Sequence, residues 1–149
     1  MKRIFLTLAI LANITLLVAF TLGWQIGDPM AGGGRDPEVN RRIGTHLLTG
    51  LAALTGATMV HALLFTYFMG TGRWIEETSH AYGLSKEWYQ QNQRTKYSIL
   101  PGIIVSFLML VATGSLGAVA DPATAVSLQK TLGISDASIH FAAAVCTWI

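Results

Sequence analysis

Four apolar runs separated by short polar intervals organise the chain. The first covers residues 4–26, the second 43–69 and the third 99–120; the last begins at Ala137 and is broken only by His140. Each of the first three supplies the roughly 20 apolar residues that, at about 1.5 Å rise, cross a bilayer's hydrocarbon core. The second and third continue as polar, aromatic-rich stretches that meet at Gly83-Leu84-Ser85. This pattern predicts an all-α membrane protein with three transmembrane helices and a fourth, partial or truncated one. The expected elements are helix 1 at about 4–26, helix 2 at 37–82 and helix 3 at 86–118, then a short outer helix at 122–132 and helix 4 at 136–149. Helices 2 and 3 form a long hairpin that projects from the membrane.

Local signals set the ends of these elements. Asp36 can cap helix 2, Pro37 suits its first position and Glu38 favours the positive end of its dipole. Gly83 is placed to take the left-handed conformation that closes a helix, and Ser85 then caps helix 3. Gly70 and Gly72 each cost about 1 kcal/mol in a helix interior, yet helix 2 is expected to continue through them. Pro101 should kink helix 3. Asp121-Pro122 repeats the cap-plus-proline start for the outer helix, and Ser135-Asp136 opens helix 4. About 13 residues cover roughly 20 Å, too short to cross, so the sequence is expected to be a piece of a longer protein.

Composition agrees with the membrane reading. Of the 149 residues 52% are hydrophobic and 12% charged, against about 25% charged in soluble domains. A net charge of +2 with no basic stripe argues against a nucleic-acid partner. The lone Cys146 excludes an internal disulfide framework. Residues 4–26 are longer than the apolar part of a cleaved secretory signal. The connection over residues 25–35 contains Gly32-Gly33-Gly34 but lacks the Lys-Ser/Thr completion of a phosphate loop.

Orientation follows from basic residues. With the N-terminus inside, Lys2, Arg3, Arg73, Lys86, Arg94 and Lys96 lie on the inner side and Arg35, Arg41, Arg42 and Lys130 outside, six against four. The excess favours a cytoplasmic N-terminus and hairpin tip, in a bacterial inner membrane. Trp74, Tyr82, Trp88, Tyr89 and Tyr97 cluster at that tip, and Glu76 and Glu77 are expected to face Arg94 and Lys96 across the hairpin.

Two small-residue faces emerge at 100° per residue. His46, Gly50, Ala53, Ala57, His61 and Leu64 share a sector of helix 2; Gly102, Ser106, Met109, Thr113 and Gly117 share one of helix 3. Mutual packing of these faces is expected, because close backbone approach drives helix association in lipid. Asn13, midway along helix 1, is expected to face another helix.

Histidine carries the candidate chemistry. His46 and His140 each fall about one turn inside the outer end of their helices, at matched depth, and imidazole is a usual axial ligand of haem iron. Gly50 and Ala53 would leave room for a flat ring. The spacing of His46 and His61, 15 residues and about 60° apart, resembles the stacked ligand spacing of di-haem cytochromes b, whose usual spacing is a residue or two shorter. The alternative use of these histidines is a hydrogen bond to a nearby hydroxyl, with Thr45, Thr49 and Thr58 as candidates. His80 falls in the hairpin tip. No nucleophile–base–acid set occurs, so catalysis by this chain alone is not expected.

Three functions follow in order. The first is a non-catalytic accessory or anchoring subunit of a larger bacterial-type membrane complex, surrounded by lipid and other membrane subunits. The second is a haem b-binding electron-transfer subunit, with quinone as a redox partner. The third is a transporter or channel component, for which intramembrane charges and broken-helix pairs are missing.

Overall fold

The computed structural model describes residues 2–26 and 36–148; Gly32, Gly33 and Gly34 of the expected connection lie outside these residues. Five helices and no strand occur among the described residues: α1 (Lys2–Ile26), α2 (Pro37–Ala81), α3 (Lys86–Ala120), α4 (Gln129–Leu132) and α5 (Asp136–Trp148). By length and composition α1, α2 and α3 can each cross a membrane. A helix satisfies its backbone hydrogen bonds internally, which hydrocarbon demands of any spanning segment.

The helix ends form as their residues dictate. The Asp36 carboxylate accepts the Glu38 N–H at 2.8 Å, with Pro37 at the first helical position. At the far end the Tyr82 N–H donates to Thr78 O and the Leu84 N–H to Ser79 O, each at 3.0 Å. Gly83 between them has φ 60°, a conformation that would strain a residue with a Cβ. The Ser85 hydroxyl then accepts the Glu87 N–H at 3.3 Å, and α3 runs on through Pro101.

Helix α2 does not break at Gly70 or Gly72. Gly72 is buried, and a Cβ there would stand 3.1 Å from the Asn92 amide nitrogen. The glycine therefore lets the two arms approach, which offsets its poor helix propensity.

Packing follows the chain: α1 against α2, α2 against α3, α3 against α5. The core is made of small and medium side chains, Ala12, Ala57, Val60 and Leu110, flanked by Leu8, Ala9, Leu16 and Leu54. Ala53 is fully buried, and a Cβ at Gly114 would meet Leu54 at 3.0 Å. Among the described residues no large side chain is wholly buried, and Leu48 is 70% exposed. Lipid can cover such a surface without cost, so cohesion rests on close contact and on a few polar bonds. One such bond joins the Thr113 and Thr147 hydroxyls of α3 and α5 at 2.6 Å.

Three expectations need correction. The outer helix is four residues, 129–132, rather than 122–132. Its proposed start is spent on a turn, because the Asp121 carboxylate accepts the Ala123 N–H at 2.8 Å and the Asp121 carbonyl the Thr124 N–H at 2.9 Å. Glu77 pairs with Arg73 on its own helix, at 2.7 Å, instead of crossing the hairpin; an i,i+4 partner is always within reach. The small face of α3 serves α5 rather than α2: Thr113 bonds Thr147, whereas Gly102 and Ser106 are exposed. Asn13 faces none of the described helices and donates to Ala9 O at 2.8 Å.

The start of α2 should respond to acid. Hydrogen bonds from Arg41, then from Arg42, lower the Glu38 pKa from 4.5 to about 2. Since the folded value is the lower one, the stabilisation is complete above pH 4.5 and is lost as pH falls toward about 2. Amide exchange over residues 40–43, corrected for intrinsic rate, should stay constant from pH 7 to 5 and accelerate between pH 4 and 2. Constant protection down to pH 2 would contradict this assignment.

Candidate functional site

Four helices, each near one of its ends, converge on two histidines. His46 lies on the third turn of α2 and His140 on the second turn of α5. Their ring centroids are 6.0 Å apart and their planes cross at 63°. Gly23 of α1 and Gly117 of α3 border the pair. A Cβ at Gly23 would lie 2.8 Å from His46 Cε1, and one at Gly117 would lie 3.0 Å from His140 Cε1. Two helices thus press bare backbone against the two imidazoles, where any side chain would displace a ring. Phe141 packs on Phe20 and Trp24 of α1, with centroids at 5.4 and 5.3 Å, and closes the bundle beside the pair.

The nitrogens are committed unequally. His46 Nδ1 lies 2.9 Å from Ala19 O. A carbonyl only accepts, so Nδ1 carries the proton and Nε2 of the neutral ring carries the lone pair. A backbone carbonyl that fixes the tautomer and the ring's orientation in this way is the usual support of a metal-ligating histidine. The buried Nδ1 of His140 has no hydrogen-bond partner. A buried polar atom without a partner costs about 1–3 kcal/mol and calls for an explanation.

The donor set limits which metal site fits. No group of three or more His, Cys, Asp or Glu able to hold a metal ion occurs among the described residues. Zinc requires three or four protein ligands. Haem iron takes four nitrogens from its porphyrin and needs only two axial ligands. With each imidazole nitrogen about 2 Å from iron and the ring centre about 1 Å further, two axial rings have centres roughly 6 Å apart. The His46–His140 centroids stand 6.0 Å apart in an edge contact, so as haem ligands the two rings would each have to direct one nitrogen at a common iron. This separation leaves no space for a carbon atom on the line between the rings, since contacts on both sides would need about 7 Å.

The remaining expected residues are placed as follows. His61 is not brought to the pair: 15 residues along α2, about 22 Å, its Nδ1 bonds Ala57 O of its own helix at 2.8 Å. His80 is exposed at the end of α2. Ala53 and Ala57 are buried in helix contacts. Gly50 has nothing within 4 Å of a Cβ and so does not border the histidines. The Thr45 and Thr49 hydroxyls bond their own helix, at Arg41 O (3.0 Å) and Thr45 O (2.8 Å), and not the imidazoles.

Ala19 and Gly23 were missed at the sequence level. The signal was present: Ala12, Ala19 and Gly23 fall within about 40° of one another on α1, a small-residue face like those read on the next two helices.

Comparison with family models, curated proteins and solved structures finds no match to this chain.

The glycines offer a test of this geometry. Gly23→Ala and Gly117→Ala should each destabilise the protein by about 1–3 kcal/mol through overpacking. Gly50→Ala, facing open space, should be neutral or stabilising by up to about 1 kcal/mol. Unfolding in mixed detergent micelles would measure all three, and a Gly23→Ala protein as stable as Gly50→Ala would refute the close approach to His46.

Proposed function

We propose that this chain is a membrane-embedded electron-transfer subunit that binds a b-type haem between His46 and His140. The observation that carries this reading is the pair itself: two imidazoles from separate helices with centroids 6.0 Å apart. Bound haem would supply reversible one-electron chemistry. The residues do the rest. The Ala19 carbonyl holds His46 in the tautomer whose Nε2 can ligate, and His140 offers a buried Nδ1 that bonds nothing else. Gly23 and Gly117 keep side chains away from both rings. Apolar helices around a redox centre exclude water, and a neutral imidazole is the form that ligates iron. His61 stands apart from this centre and has no role in it.

The role of accessory or anchoring subunit in a larger complex is compatible with haem binding and draws support from another region. At the tip of the α2–α3 hairpin Trp74, Tyr82 and Trp88 are exposed by 65, 77 and 63%. Aromatic side chains of this size in a projecting hairpin suit contact with a further subunit or with headgroups. The proposed topology places the N-terminus and this tip in the cytoplasm, in a bacterial inner membrane.

Absorption spectroscopy of the protein purified from haem-replete cells is the test. A Soret band with low-spin bis-imidazole character is expected. His46→Ala or His140→Ala should abolish or convert it, while His61→Ala and His80→Ala leave it unchanged. A colourless, folded protein, or a band insensitive to both His46 and His140, would refute the proposal.

A further inference from the structure

Helix α1 carries a second face that none of the described helices covers. Counted at 100° per residue, Leu6, Ile10, Asn13 and Leu17 fall within about 60° of one another. This stripe lies about 140° around α1 from the face packed on α2, which centres on Ala12 and Ala19. Leu6, Ile10 and Leu17 are 53, 50 and 43% exposed, and Asn13 is exposed among them. Their steps of 4, 3 and 4 follow the heptad rhythm of a helix–helix seam.

Asn13 makes this face more than a lipid-facing surface. The candidate span is Arg3–Ile26, so Asn13 lies within about 2 Å of its midpoint along the axis. One amide hydrogen is satisfied at Ala9 O, 2.8 Å away. The second N–H and most of the Oδ1 acceptor capacity find no partner among the described residues. Hydrocarbon offers none either, and an unpaired carboxamide there is unfavourable. Whatever covers the stripe must therefore present both a donor and an acceptor at the depth of the bilayer centre, within an otherwise apolar surface.

We propose that the covering surface is α1 of a second copy of this chain, packed in parallel about a two-fold axis normal to the membrane. Copies inserted with the same topology place Asn13 at the same depth without any adjustment. A carboxamide is both donor and acceptor, so two of them satisfy each other. The apolar positions meet their own equivalents, Leu6 on Leu6 and Leu17 on Leu17, as an isologous interface requires. A single polar residue in such a seam fixes register and pairing state. The seam lies on a different side of α1 from Ala19 and Gly23, so dimerisation leaves the histidine pair as it is in one protomer.

Disulfide mapping tests this in bilayers. In a Cys146→Ser background, single substitutions Leu6→Cys, Ile10→Cys and Leu17→Cys should each form a dimer under mild oxidation, because equivalent positions meet across the axis. Leu11→Cys and Val18→Cys, also exposed but about 100° or more around the helix, should remain monomeric. In vesicles of phosphatidylethanolamine and phosphatidylglycerol, Asn13→Leu should raise the dimer dissociation constant by about 3- to 30-fold. Asn13→Gln should restore most of the affinity, and helical circular dichroism should be the same for all variants. Equal cross-linking at all five positions, no cross-linking at the first three, or Asn13→Leu dimerising as tightly as wild type would each overturn the proposal. So would adducts formed only with a different polypeptide. The readouts involve no haem, so their outcome is separate from that of the Soret test.

Discussion

The close approach of α1 and α2 is the contact on which the rest depends. In lipid, apolar side chains gain little by meeting one another, so helices associate where their backbones can come near and dispersion contacts are dense. Ala12 and Ala57 provide that proximity mid-bundle. One consequence appears two turns further along α1, where the same proximity sets Ala19 O 2.9 Å from His46 Nδ1. A larger residue at Ala12 would separate the helices and with them the hydrogen bond that orients the ring.

The histidine junction is assembled from pieces that are distant in the chain. α3 supplies Gly117, α5 supplies His140, and the Thr113–Thr147 bond at 2.6 Å holds these two helices in register. Aromatic contacts of Phe141 with Phe20 and Trp24 return α5 to α1 and complete the ring of four helices. The loop before α5 is fixed as well. The Asp136 carboxylate accepts the Ser127 hydroxyl at 2.6 Å and the Leu128 N–H at 2.8 Å. Those hydrogen bonds, that from Ser127 foremost, hold its pKa below the ordinary carboxylate value. This tie sets where α5 begins and hence the depth of His140.

The polar end of the α2–α3 hairpin follows different rules. Its charges pair within a helix, as in Arg73–Glu77 at 2.7 Å, and remain exposed; such pairs add little stability in water. Its arms are instead held by backbone proximity at Gly72 against Asn92 and by the turn around Gly83. The exposed aromatic tip is thus carried on two helices continuous with the apolar segments, so its position is coupled to theirs.

The sequence by itself determined the helices and their ends, because hydropathy run length and capping chemistry are local. Asp36, Gly83, Ser85 and Pro37 act on neighbours within four residues, and nothing distant competes with them. The same locality made Asp121-Pro122 misleading, since a turn and a helix start use the same side-chain acceptor and only the following packing chooses between them. The tertiary structure alone decided which faces meet. In lipid a small-residue stripe marks a helix as able to pack without naming its partner, so Thr113 and Gly117 went to α5 while Gly102 and Ser106 stayed exposed. Matched depth of His46 and His140 could be read from residue counts, which measure position along the membrane normal. Whether the two rings lie side by side depends on rotation and order of helices about that normal, and residue counts carry no information on either.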